Sequence, residues 1–439
     1  MAKRFVRGGA LLASAEASLN WDWGVVIDGS GIAAVGPNDE LRAAYPDAEV
    51  IDASGLLLMP GFVNAHMHSY GLLAHGIPVG AAPAGFYEFL RDFWWPRVED
   101  RLDHAMIAAA FRLACGMMIR AGFTSFCDIL EAPNAVPGAL EVEREVLEET
   151  GLRGILSIEA SERLGTELGE KAVSENAKFT EKHADDQLVR GMMCIHTSFT
   201  CSDRFVTRAK EIADELKCGI QLHLSESPYE PELSLKKYGL RPVEWYDRFG
   251  FWDDSVLASQ GVALEPEEIE ILAARGVRLA HMPLSNCEVG GGIAPVPDMI
   301  SRGIRPGLGT DGYINDPFEV MRGAFLIHKG ARRDPGVMPA KTVFAMATSW
   351  GAEAIGIPAA GKLTPGMLAD LIGIDLSFAT PLTEDNVFDQ VILYRSGNDV
   401  RLSIVNGSLL MKDGELLTVD MEQARRAAAA QARRLWNMR

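Results

Sequence analysis

Between residues 57 and 310 the chain repeats one pattern eight times: an apolar run of strand length, then a stretch with helical character. The runs cover 57–68, 123–130, 152–160, 188–197, 219–225, 255–262, 277–283 and 304–310. Helical stretches at 105–120, 139–150, 207–216, 265–274 and 294–301 lie between them. Runs that are apolar throughout belong to strands buried on both faces, and crossover helices keep such strands parallel. Eight such units predict an α/β fold, a closed (β/α)8 TIM-type barrel, with any active site at the C-terminal ends of its strands.

The flanks read differently. Short β-like runs at 5–9, 24–29, 32–36 and 49–52 suit a small antiparallel sheet. Beyond about residue 360 the β pattern returns at 370–374, 390–394 and 400–405, with Asn406-Gly407 and Asp413-Gly414 as hairpin signals. Residues 421–439 read as a terminal helix. The expected organisation is a barrel over 58–360 beside one small β-sandwich domain, built from residues 1–57 and 361–439.

A net charge of -18 argues against a nucleic-acid partner and against anionic membranes, since both need a basic face. No run reaches the roughly 18 apolar residues of a membrane span. The basic start, Met1 to Arg7, leads into Gly8-Gly9-Ala10 and does not read as a secretory signal. The six cysteines are scattered and read as reduced core thiols, so a cytoplasmic protein is expected. Nothing fixes the oligomeric state, and a homodimer stays open.

Three of the runs end in residues with chemical capacity. The first closes on Asn64-Ala65-His66-Met67-His68, the fifth on His223-Leu224-Ser225-Glu226, and the eighth on Gly309-Thr310-Asp311-Gly312. Alternate residues of a strand share a face, so His66 and His68 can point the same way. With His223 and Asp311 they offer three nitrogens and a carboxylate oxygen to one divalent metal ion, zinc first and iron second, with room for water. Each of these residues alone is commonly just a satisfied polar group; their shared placement at strand ends sets them apart. Glu226 can take a proton from an activated water and pass it to a leaving amine. Asp311 can ligate the ion and also accept a proton.

Two rival readings are discounted. Gly307 to Gly312 matches the dinucleotide pattern G-x-G-x-x-G, but Arg332 stands about where the acidic partner belongs, and the strand is the last rather than the first. A second metal lacks its bridge, because the fourth run ends in Cys194-Ile195-His196-Thr197 with no lysine. His196 faces a substrate or is a buried hydrogen-bonded histidine. The signatures of zincins, serine-hydrolase elbows, phosphate loops and the cytidine-deaminase zinc fold are absent.

Residues 58–68, Leu-Met-Pro-Gly-Phe-Val-Asn-Ala-His-Met-His, resemble the opening of the amidohydrolase superfamily. The similar branch holds the cytosine, guanine and S-adenosylhomocysteine deaminases and the triazine hydrolases. The likeness continues through Arg241 to Glu244, His281 to Asn286, Gly291 to Val296, Gly307 to Gly312, Gly361 to Leu363 and Ala369 to Leu371. It implies a mononuclear hydrolase with His66, His68, His223 and Asp311 on the metal and Glu226 as proton shuttle. The substrate implied is a small nitrogen heterocycle such as a purine, pteridine, pyrimidine or triazine.

One position departs from the family. Where its members read Ala-His-Cys-Val-His-Leu, this chain has Ser259-Gln260-Gly261-Val262-Ala263-Leu264. Gln260 can donate through its amide but cannot carry charge or relay a proton. Loss of one preorganised donor costs a factor of about 10² to 10³ in rate. Either the substrate is more activated, or His281 compensates, or the activity is weak.

Residues 86–95 are rich in aromatic rings and form either a lid that stacks on a flat substrate or a helix packed on the barrel. Trp94, Glu99, His196 and Asn286 are the candidate substrate contacts, with Glu159, Arg163, Ser285, Tyr313 and Asn315 near them. The expected activity is deamination of the heterocycle. Opening of a cyclic amide, release of a non-amine group, or an impaired metal-binding relative are the alternatives.

Overall fold

The computed structural model describes residues 3–437; Met1, Ala2, Met438 and Arg439 lie outside them. Five strands come first: β1 (Arg4–Leu12), β2 (Leu19–Trp21), β3 (Trp23–Asp28), β4 (Gly31–Pro37) and β5 (Glu49–Pro60). The apolar runs follow as β6 (Phe62–Met67), β7 (Phe123–Leu130), β8 (Arg153–Ile158), β9 (Val189–Gly191), β10 (Met193–Cys194), β11 (Ile220–Leu224), β12 (Val256–Gln260), β13 (Arg278–His281) and β14 (Gly307–Leu308). The last strands are β15 (Leu371–Asp375), β16 (Val400–Val405), β17 (Ser408–Lys412) and β18 (Glu415–Leu416).

Strands β6 to β9 form one parallel sheet and β10 to β14 another, each in chain order. The fourth run is thus split between the two sheets. Parallel bridges join them at Met67 with Asp311 and at Ala160 with Ile195. Every residue of β6, β7 and β8 is buried, which is why these segments carry no polar alternation. The helix His104–Ala121 shows how the crossovers are bounded. Asp103 caps its start by accepting from the Met106 amide at 2.9 Å, and Gly122 closes it at φ 95. This helix is long and apolar enough to cross a membrane, but 61% of it is buried in the protein core.

Both chain ends meet in a nine-stranded sheet of order β18-β17-β16-β15-β5-β1-β3-β4, with β2 on β1. The N-terminal part is mixed rather than antiparallel, because β1 and β5 run parallel. The helix Asn38–Ala44 is the reason: it carries the chain back after β4, so β5 re-enters in the direction of β1. Residues 390–394, expected as a strand, lie instead in the helix Val387–Tyr394. Val387, Val391 and Ile392 share its buried face, and Phe388 meets Phe344 edge-on at 5.3 Å, so helix packing takes up this apolar run. Asn406-Gly407 and Asp413-Gly414 do turn hairpins, with φ of 52, 74, 55 and 82. The terminal helix is Met421–Asn437; the last two residues of its expected span are outside the described ones.

Two details tie the nine-stranded sheet to the parallel strands. Only Gly61 separates β5 from β6, and a Cβ there would lie 2.1 Å from Thr124 Cγ2, so no other residue fits. Across the fold, Arg153 at the start of β8 donates to Asp370 at 3.0 and 3.2 Å, and Asp370 also accepts from the Asn406 amide at 2.6 Å. Both partners are buried, so neither charge has water to fall back on. Asp370→Ala leaves Arg153 uncompensated and is expected to lower unfolding free energy by about 3–5 kcal/mol, measured by urea denaturation.

Candidate metal centre

His66 lies near the end of β6, His68 just past it, and His223 near the end of β11. Strand alternation turns the first two rings inward together. The three ring centroids are 4.8, 5.1 and 5.3 Å apart, and all three rings are buried. Their facing nitrogens lie within 4.8 Å of one another. His68 Nδ1 donates to the Ile129 carbonyl at 3.0 Å, which leaves its Nε2 toward the cluster, 3.3 Å from His223 Nε2.

Asp311 follows β14 and is brought in by pairing with β6. Its amide donates to the His66 carbonyl at 3.1 Å, and its Oδ1 lies 3.6 Å from His68 Nε2. Gly309 makes this possible, since a Cβ there would sit 2.7 Å from the His66 carbonyl oxygen. Asn64 and Thr310 lock the register with side-chain bonds of 2.8 and 3.1 Å. Three non-glycine residues at strand ends hold left-handed backbone: Ser225 at φ 48, Gln260 at φ 76 and Asp311 at φ 58. Such strain costs about 1–3 kcal/mol per residue and gathers where function requires an exact side-chain aim.

These residues fit a divalent ion. Both ring nitrogens of His66 are buried with no hydrogen-bond partner, as is Nδ1 of His223. Burial holds His66 well below the usual imidazole range and His223 down to about 4, so both rings are neutral, the form that binds metal. Asp311 is ionised: against the cost of burial, His68, His66 and the bond from Gln260 bring its pKa to about 2. Three imidazoles and one carboxylate are the donor set of a zinc-like centre.

Around the cluster opens a cavity of about 480 Å³. Glu226, Gln260, Trp94, Glu99 and His196 line it. Glu226 is carried on a turn braced by buried Glu230, which accepts from the Ser225 amide at 2.6 Å and the Ser198 amide at 2.9 Å. Burial, then Asp311 and Glu131, raise the Glu226 carboxyl well above its usual range. The aromatic stretch divides: Phe86, Phe89, Phe93, Trp94 and Trp95 face the cavity, while Tyr87 stacks on Tyr229 at 4.2 Å.

Gln260 lines the cavity and is bonded to Asp311. Its Nε2 donates one hydrogen to Asp311 Oδ2 at 2.8 Å, and the buried Oε1 is left without a partner. His281, expected to compensate, does not line the cavity; its Nε2 lies 3.0 Å from His328 Nε2, on the helix Pro317–Arg332. Asn286 is also off the cavity wall. Its backbone carbonyl accepts from the Gly291 and Gly292 amides at 2.9 and 3.2 Å, which makes it a loop-shaping residue.

Glu131 went unremarked in the sequence, yet it sits directly after β7, at a strand C-terminus. It lies 4.0 Å from both His68 and His223, and Tyr70 donates to it. With Glu159, His196 and His223 it forms a second buried group whose ligand atoms lie within 4.8 Å. Burial opposes its charge, but His68, a bond to Glu159 and His223 hold it well below the usual carboxylate range. Its position after a strand was the one available signal. Glu99 is held by Arg163 at 3.0 Å, and that guanidinium stacks over Trp95 at 4.7 Å.

Residues 57–410 match the amidohydrolase family, and the chain belongs to it. It is a hydrolase of carbon–nitrogen bonds other than peptide bonds that uses one divalent metal ion, zinc first. Residues 24–48 match the imidazolonepropionase-like composite domain of bacteria. The chain is 33% identical to a 5-methylthioadenosine/S-adenosylhomocysteine deaminase of Syntrophobacter fumaroxidans over 408 residues, 91% of this chain and 90% of that protein. It is 34% identical to a 5'-deoxyadenosine deaminase of Methanosarcina mazei over 416 residues, covering 92% of each. Its fold matches an adenosine deaminase from Xanthomonas campestris with bound zinc, with TM-score 0.91 at 25% identity, over 100% of this chain and 99% of the other. The zinc complex of atrazine chlorohydrolase from Arthrobacter aurescens TC1 matches with TM-score 0.83 at 21% identity, over 98% and 99% of the two chains.

Proposed function

We propose that this protein is a mononuclear metal-dependent aminohydrolase that removes the exocyclic amino group from the purine of an adenosine-type nucleoside. The observation that carries it is the convergence of three buried imidazoles and Asp311 on one point, with Glu226 opening into the same cavity. The chemistry a divalent ion supplies there is activation of water at neutral pH. His66, His68, His223 and Asp311 would hold it. Glu226 takes a proton from the attacking water as a carbon–oxygen bond forms, then delivers it to the departing nitrogen as the carbon–nitrogen bond breaks and ammonia leaves. Trp94 stacks on the ring, and Glu99 and His196 meet its polar edge; His196 Nδ1 is taken by Thr200 at 2.8 Å, which leaves Nε2 for the cavity. The names of the similar deaminases support the purine.

The same reading includes the frame. The two parallel sheets, bridged at Met67–Asp311 and Ala160–Ile195, form one closed (β/α)8 barrel over residues 58–360. The described residues 3–57 and 361–437 fold the nine-stranded sheet into a β-sandwich beside it, in a cytoplasmic protein. Ammonia release from adenosine, 5'-deoxyadenosine, guanine and a triazine, with metal analysis of the same protein, tests the activity. Release from none of them defeats it. Gln260 positions Asp311, so Gln260→Leu is expected to cut kcat or metal affinity about 10- to 100-fold, read by turnover and chelator competition.

A further inference from the structure

A second cavity of about 510 Å³ adjoins the first, and Val79, Phe86, Phe89, Glu288 and Val289 wall both. The rest of its wall is small: Gly80, Ala81, Ala82, Pro83, Gly85 and Gly290. Among the described residues Glu288 is the one ionisable side chain of this outer chamber, and no lysine or arginine lines either cavity. The cations nearby are already matched. Arg91 is bound to Asp92 through two contacts of 2.6 Å, and Arg163 to Glu99 and Asp100 at 3.0 and 2.9 Å. The inner cavity adds Glu99, Glu131, Glu226 and Asp311 beside the imidazoles His68, His75, His196 and His223, so the path from rim to centre carries carboxylates and histidines but no permanently charged cation of the chain.

An anionic group brought into such a space finds no lysine or arginine and faces Glu288 at the rim. An uncharged alkyl or thioalkyl group loses only unfavourable contact with water. An ammonium group gains Glu288 as a partner. We propose that the outer chamber takes the substituent of the heterocyclic substrate, and that it selects uncharged apolar or cationic substituents and rejects carboxylate and phosphate. Glu288 is the specificity residue. This inference rests on the aminohydrolase reading of the inner cavity.

Four adenosines that differ only at the 5' position test it: methylthio, amino, carboxylate and phosphate. The wild type is expected to turn over the anionic pair at least about tenfold less efficiently, in kcat/KM, than the methylthio compound. Glu288→Lys is expected to shift the carboxylate-to-methylthio ratio about tenfold or more toward the carboxylate, and Glu288→Gln to shift it the same way by less. Equal efficiency on carboxylate and methylthio substrates, or a ratio unmoved in both variants, overturns the chamber while the aminohydrolase reading stands. If no ammonia appears from any of the four, that reading fails, and calorimetric binding of the same four compounds to the metal-loaded protein decides the chamber. Binding in the stated charge order sustains it. Any other order, or no binding, ends it.

Discussion

His66→Ala is expected to strip the divalent ion from the protein and abolish turnover. His66 is fully buried, and neither of its ring nitrogens bonds to any other part of the chain, so its loss removes a donor without breaking another hydrogen bond. Partners that merely orient metal ligands are already worth 10- to 100-fold in affinity, so deletion of a ligand should exceed about 100-fold. Elemental analysis of purified wild type and variant reads this directly. Stability gives an independent measure. A chelator should lower the unfolding free energy of the wild type by about 4 kcal/mol when the free metal stood at 1,000 times its Kd, and leave the variant unmoved. A variant that keeps stoichiometric metal would remove His66 from the site.

Glu226→Gln should show the complementary behaviour. The amide keeps the size of the carboxyl but can no longer accept the water's proton or hand one on. Ammonia release is expected to fall by about 10² to 10⁴ in kcat, with metal content unchanged, because Glu226 is the proton carrier and not a ligand. Undiminished turnover would transfer the proton work to another carboxylate of the cavity, Asp311 or Glu131.

The sequence displayed the strand ends best. His66, His68 and His223 were legible because each ends a run that is apolar throughout, where a polar ring stands out. Glu131 was harder to see: a lone glutamate after a strand looks like a solvated loop residue until β7 is known to place it beside His68. The surroundings of His281 and Gln260 were hidden for a shared reason. Their sequence positions are at strand ends, but which way a side chain turns depends on partners far away, His328 in one case and Asp311 in the other. The stretch 390–394 failed for want of length, since Gln390 and four apolar residues after it fit either period; the Phe344 surface beside it makes the helix the better burial. The parallel pairing of β1 with β5 depended on a short crossover that propensity alone does not orient.

The run of β5 through Gly61 into β6 has a consequence for biosynthesis. A ribosome delivers the first two histidines early, but their partners arrive late: Thr310, which fixes Asn64, lies 246 residues further on. At about 5–20 residues per second that interval is roughly 12–50 s of translation. β15, the other neighbour of β5, emerges later still. Until then the nascent chain holds a pair of imidazoles without the aspartate, so the complete set of four donors waits for Asp311 to emerge.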